Sequence, residues 1–280
     1  MPAPLAQPNV LLLPLAGVLG LILGSFATCA GHRLARGGSV LSPARSFCPA
    51  CGHTLSWREN IPLLGWLAQA GRCRFCHERI PARYPLTELA SGALAVCAMA
   101  VFGPTPHFLA AIIFATLLLV LSLIDLQTYL LPDALTLPGA AMAFACSALL
   151  PPLWTLGIGW QAALWGGCLG GGGLWLLSVV YRRVRGVDGL GLGDAKLMLC
   201  VGALLGPAAV AVTLFAGACL ALPAGLLAMR RADRNDSTAE GGGEGLQTRL
   251  PFGPFLCAGA AGYLLFGPWL LHWWLGLPLP

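Results

Sequence analysis

The sequence predicts an all-α polytopic membrane protein of about eight transmembrane helices, with a small polar domain inserted between the first two. Three observations predict it. Of the 280 residues 57% are apolar and only 10% charged, whereas soluble domains carry about 25% charged residues, and mean hydropathy is +0.78. The apolar residues form long runs at about 9–30, 86–103, 108–130, 134–151, 158–181, 195–206, 208–229 and 252–275, and a helix needs roughly 20 such residues to cross a bilayer. The charged residues fall between the runs, in a few clusters. A soluble globular protein and a disordered chain are both excluded by this arithmetic.

The first run follows MPAPLAQPNV, which has no basic residue, and ends at Cys29, His32 and Arg33. A cleavable signal carries its charge before the apolar core, so a retained span running inward is expected over residues 1–34. Residues 35–85 form a polar insertion, and the remaining seven spans occupy 86–280. The GGCLGGGG stretch at 166–173 lies inside a span, where small residues let helix backbones approach. It lacks the Lys-Ser/Thr and the strand context of a phosphate loop. The 195–206 run is short and Gly-rich, so a tilted, broken or partly buried helix is expected there. Residues 231–249 are polar and Gly-rich, which predicts a flexible loop.

All sixteen basic residues test the orientation. Eight lie between the first two spans, from Arg33 to Arg83. Arg182, Arg183, Arg185 and Lys196 follow the fifth span, and Arg230, Arg231, Arg234 and Arg249 separate the last two. With eight alternating spans every one of these segments falls on one side, and the opposite connections near 104–107, 151–157 and 206–208 carry none. By the positive-inside rule the charged loops are expected in the cytoplasm and both termini outside. The basic loops lack aromatic interleaving, so no nucleic-acid partner is expected. Membrane lipid is the solvent of the helices, and a homo-oligomer is compatible with the sequence.

The polar insertion holds Cys48-Pro-Ala-Cys51 and Cys73-Arg-Phe-Cys76, with 21 residues between the pairs. A two-residue gap lets both thiolates of a knuckle face one ion, and two knuckles complete the tetrahedral four-sulfur set that zinc favours. The alternative is two disulfides, which a reducing cytoplasm disfavours. Four thiolates leave no open position for water, so the ion is structural. His53 and His77 stand beside the knuckles as replacement ligands that a complete cysteine set does not need. The seven single cysteines are expected as buried small hydrophobes, and His32, His107 and His272 as interfacial.

Most of the eleven carboxylates lie in polar loops. Asp125 follows FATLLLVLSLI at the cytoplasmic end of the third span, and Asp194 opens the sixth in Gly191-Leu192-Gly193-Asp194. Ionisable groups at membrane depth are costly and mark a functional cavity or a paired site. Two carboxylates that meet share a proton. The ionised one then takes a proton from water attacking a peptide carbonyl, while the protonated one hydrogen-bonds the carbonyl oxygen. Gly191 and Gly193 allow backbone geometries closed to larger residues and leave room for a substrate strand. The same two acids equally suit a proton-coupled transporter, or the satisfaction of a helix end. Asp133 reads as a helix cap, Asp188 as a turn residue, and Glu88 as the partner of Arg83. Lys196 reads either as a cation depressing the Asp194 pKa or as a headgroup anchor.

With these residues assembled, the chain resembles the bacterial type IV prepilin peptidases over nearly its whole length. Gly24-Ser25-Phe26 with His32-Arg33-Leu34, the two CxxC knuckles and Arg83-Tyr84-Pro85-Leu86-Thr87-Glu88 resemble the front of that family. Ile124-Asp125 through Leu131-Pro132-Asp133, Gly191-Leu192-Gly193-Asp194-Ala195-Lys196 and Pro251-Phe252-Gly253-Pro254-Phe255 resemble its later motifs. The resemblance implies an intramembrane aspartic endopeptidase with Asp125 and Asp194 as its catalytic pair and Asp133 in support. The implied substrates are prepilins or type II secretion pseudopilins, cut after a glycine behind a short basic leader. It also implies N-methylation of the new terminus with S-adenosylmethionine, whose site no feature of the sequence locates. After Gly-Ser-Phe the family pattern contains Asn, whereas this chain has Ala27-Thr28-Cys29. Thr keeps a hydrogen-bonding group but not an amide, which bears on methylation and leaves the aspartates untouched.

Overall fold

The computed structural model describes residues 10–40, 42, 45–186, 191–236 and 251–276, without the side chains of 231–236, 274 and 275. Its long helices follow the apolar runs: α1 Leu12–Ala35, α3 Arg83–Phe102, α4 Pro106–Thr128, α5 Asp133–Leu149, α8 Leu192–Leu205, α9 Pro207–Asp236 and α10 Gly253–Leu275. The remaining rod is α6 Trp160–Gly167, a π-helical turn Cys168–Gly173 and α7 Leu174–Arg185, and a short α2 Leu64–Ala68 lies in the polar insertion. Among the described residues there is no strand, only isolated bridges. Taking the α6–α7 rod as one, six helices are long and apolar enough to cross a membrane, and α5 is apolar but shorter. These make a multi-pass membrane protein. The expectation of eight full spans is therefore met by six, because α5 has 17 residues and α8 has 14. At 1.5 Å per residue a helix of α8's length reaches about 21 Å, short of a hydrocarbon core about 30 Å thick.

Small residues decide how the rods meet. On α1, a Cβ on Gly20 would lie 2.6 Å from the Ser91 carbonyl oxygen, and one on Gly24 would lie 2.7 Å from the Glu88 Cα. Thus α1 and α3 touch backbone to backbone, while Leu15, Val18, Ile22 and Phe26 remain exposed, a face suited to lipid. The glycine-rich stretch at 166–173 is the packing face its composition suggests. A Cβ on Gly166 would fall 2.1 Å from the Gly202 carbonyl oxygen, and one on Gly170 would fall 2.2 Å from that of Met198. Pressed on by these glycines, α8 becomes the centre of the bundle, with Leu197, Met198, Cys200 and Val201 fully buried. This explains how so short a helix is held: protein rather than lipid surrounds it.

Two further expectations need correction. The polar stretch beginning at 231 is helical as far as Asp236, since α9 runs on from its apolar part, and 237–250 lie outside the described residues. Asp188 also lies outside them. His107 is buried rather than interfacial, with Nε2 2.7 Å from the Pro151 carbonyl oxygen.

Candidate active site

Asp125 stands on the last turn of α4, which Tyr129 ends in a left-handed conformation while donating its N–H to the Asp125 carbonyl. Its carboxylate is buried, and Oδ2 accepts the Gly253 backbone N–H at 3.0 Å. That donor is one of the free amides opening α10, whose helix dipole also favours a carboxylate there. Any side chain at 253 would collide, because a Cβ would sit 2.6 Å from Oδ2.

Asp194 lies in the first turn of α8, whose N-cap is Gly191. Gly193, beside Asp194, faces Leu131 in the loop after α4, and Gly253 at the start of α10 touches the Asp125 carboxylate. The two acids, 69 positions apart in the chain, thus stand on adjoining elements at one end of the bundle. The glycines serve for a reason other than backbone freedom, since neither Gly191 nor Gly193 has positive φ. A Cβ on Gly193 would press within 3.1 Å of the Leu131 Cβ, and one on Gly191 within 3.3 Å of the Asp194 carboxylate. Gly193 lets α8 approach the loop that follows Asp125, and Gly191 leaves room for the Asp194 carboxylate.

Asp133 and Lys196 are not part of this pair. They form an exposed salt bridge with each other, joining the starts of α5 and α8. Pro132, not Asp133, is the N-cap of α5, and no side chain caps it; Asp133 contributes charge in the first turn. Lys196 accordingly neither pairs with Asp194 nor reaches outward as a free anchor. Glu88 forms no salt bridge with Arg83. It is buried, and Oε2 accepts the N–H of Leu63 at 2.8 Å, fixing a residue whose φ is +60° at the start of α2.

The cysteine domain hangs at the same end of the bundle. On α1, Ala27 and Ala30 pack on Val120 and Ile124 of α4, next to Asp125. The two knuckles have the same backbone plan. Cys48 donates to the His53 carbonyl and accepts from Gly52; Cys73 donates to that of Glu78 and accepts from His77. Gly52 and His77 both have positive φ, so His77 fills the turn position that the first knuckle gives to glycine. His53 lies against the Phe75 ring with centroids 3.5 Å apart.

The Sγ atoms of Cys48, Cys51, Cys73 and Cys76 all lie within 4.8 Å of one another. Cys48–Cys76 is 3.8 Å and Cys51–Cys73 is 3.9 Å. Zinc–sulfur bonds of about 2.3 Å at tetrahedral angles separate sulfurs by about 3.8 Å, so the donor set fits that ion. Disulfides need a sulfur separation of about 2.05 Å, and all four cysteines are free. Backbone N–H groups of Cys76 and Phe75 lower the Cys73 pKa to about 7, providing a thiolate near neutrality. The Glu78 backbone hydrogen bond lowers that of Cys76, but burial and the other three sulfurs outweigh it and raise the value to about 12.

Comparison with known proteins agrees with this arrangement. Residues 18–102 match the Bacterial Peptidase A24 N-terminal domain and residues 112–226 the Type IV leader peptidase family. The chain belongs to the Type IV leader peptidase family. It is 39% identical to a prepilin leader peptidase/N-methyltransferase of Burkholderia pseudomallei (strain 1026b), over 94% of this chain and 88% of the relative. The relative of the same name in Klebsiella pneumoniae is 44% identical over 70% of this chain and 86% of its own. That of Aeromonas hydrophila is 35% identical over 82% and 74%. No solved structure matches the chain.

The site residue that sequence reasoning did not single out is Gly253. Its signal was present in Pro251-Phe252-Gly253-Pro254-Phe255, but nothing local announces a partner 128 positions earlier.

Proposed function

We propose that this protein is an intramembrane aspartic endopeptidase that removes the short basic leader of prepilins or pseudopilins, cutting after glycine at the cytoplasmic face. Asp125 and Asp194 are its acid–base pair. The observation that carries the proposal is their convergence: Asp125 is held by the Gly253 N–H, and Asp194 stands on an adjoining element at the same end of the bundle. One shared proton gives the pair both of the functions hydrolysis needs. The ionised carboxylate accepts a proton from the attacking water, and the protonated one donates to the carbonyl oxygen and later to the leaving amine. The Gly253 bond keeps the Asp125 oxygens in register.

Around this core the proposal includes a structural zinc on Cys48, Cys51, Cys73 and Cys76, and methylation of the released amine with S-adenosylmethionine as donor. The second activity is supported by the N-methyltransferase name of the relatives. Residues 1–34 form the first helix, 35–85 the metal domain and 86–280 the peptidase. The protein resides in the bacterial inner membrane, with the cysteine domain cytoplasmic and both termini periplasmic. No observation favours a transporter. Purified protein in detergent, mixed with a synthetic prepilin peptide spanning leader and helix, is expected to release the leader as one fragment ending in glycine. An intact peptide after prolonged incubation would reject the proposal.

A further inference from the structure

A partly open cavity lies where the cysteine domain meets α1 and α3, with about 200 Å³ reachable by the centre of a water molecule and its occupant's atoms extending beyond that. The acid pair lies outside it, and Cys48 and Cys73 of the metal cluster border it at one end. Ser25, Cys29, His32 and Arg33 line it from α1, and Trp66, Arg79, Tyr84 and Glu88 from the domain and α3. At 3.6 residues per turn the four α1 residues lie on the face opposite Ala27, Ala30 and Leu34, which pack beside Ile124. One helix therefore separates the cavity from Asp125.

Its lining is aromatic and carries both charges. The indole of Trp66 is fixed, because Nε1–H donates to the Ile80 carbonyl at 3.1 Å. Gly71, at φ +66°, makes room beneath it, since a Cβ there would lie 2.8 Å from the ring. A ring held in this way is a ready stacking wall. Glu88 spends one oxygen on Leu63 and keeps the other. Arg79 makes no salt bridge among the described residues. His32 lines the cavity as well, and its Nδ1 is buried without a hydrogen-bond partner.

We propose that this cavity binds S-adenosylmethionine, an inference that rests on the methylating activity proposed above. The chemistry matches part by part. The adenine stacks on an aromatic face, the sulfonium is attracted to ring faces and carboxylates, the amino group meets Glu88, and the carboxylate meets Arg79. Cleavage and methylation then use opposite sides of α1, and the new amine passes round that helix, about 10 Å in diameter, between them. The departure at Thr28 leaves this cavity intact: its hydroxyl donates to the Gly24 carbonyl within α1, and Thr28 does not line the cavity.

The test is direct binding to the full-length, zinc-loaded protein in detergent, by calorimetry with S-adenosylmethionine and by ultraviolet cross-linking of the radiolabelled compound. Wild type and Asp194→Asn are expected to bind alike, with label on peptides containing Trp66 or Tyr84. Arg79→Ala and His32→Ala are each expected to weaken binding about tenfold or more while zinc content stays at the wild-type level. Equal binding by both cavity variants, label on another segment, or displacement by anionic lipid or a basic leader peptide rather than by S-adenosylhomocysteine would overturn it. Binding at this cavity by a wild-type protein that fails to cleave prepilin would leave the inference standing and remove the peptidase reading instead.

Discussion

Asp125 depends on an amide that only a particular backbone can deliver. Gly253 presents its N–H to Oδ2, and the absent side chain is what lets it come so close. Gly253→Ala should therefore displace the carboxylate without disturbing the rest of α10. Misplacing a reacting group by about 1 Å costs on the order of a hundredfold in rate, so leader cleavage should fall by about that factor with zinc content and thermal midpoint nearly unchanged. Rates within about twofold of wild type would show that this hydrogen bond does not orient the acid. The same scale shows what was legible in the chain. Asp125 and Asp194 stand out because an acid beside a long apolar run has few innocent explanations. Lys196 and Glu88 misled because their neighbours in sequence, Asp194 and Arg83, are not their neighbours in space. Lys196 pairs with Asp133, and Glu88 receives the N–H of Leu63.

Helices were legible where apolar runs were long, because burial in lipid requires every backbone group to be bonded within the segment. Their ends were not. Near the end of α1, the Arg33 guanidinium reaches the Val40 and Arg45 carbonyls, a contact no periodicity reports. Gly166 and Gly202 meet backbone to backbone, and this contact makes its own prediction. A Cβ on Gly202 would lie 2.0 Å from the Gly166 carbonyl oxygen. Gly202→Ala should destabilise the protein by about 1–3 kcal/mol through forced separation of the two rods, seen as a lower midpoint of detergent-solubilised protein. An unchanged midpoint would mean that the rods do not touch there. In the cysteine domain, spacing alone revealed the ligands, because two knuckles impose geometry locally. Cys48→Ser should remove about one metal equivalent per chain, since three thiolates make an incomplete tetrahedral site, as read by elemental analysis. Full retention of zinc would contradict the four-sulfur site.

Across the molecule, four features far apart in sequence arrive at one end of the bundle. The cysteine domain joins α1 to α3, Asp125 ends α4, and Asp194 and Gly253 begin α8 and α10. The expected alternation of eight apolar runs would by itself put them at one face, and that much follows from the sequence. Their convergence around a buried, 14-residue α8 does not, because it depends on glycines that bring α6 and the π-turn against it. The measurement that bears most directly on this account is leader release by Asp125→Asn and Asp194→Asn, purified separately after confirming membrane insertion and zinc content. Each should lose cleavage by about a hundredfold or more, the scale of a missing acid or base, because neither carboxylate can supply both proton transfers. Substantial cleavage by either variant would contradict a shared catalytic pair.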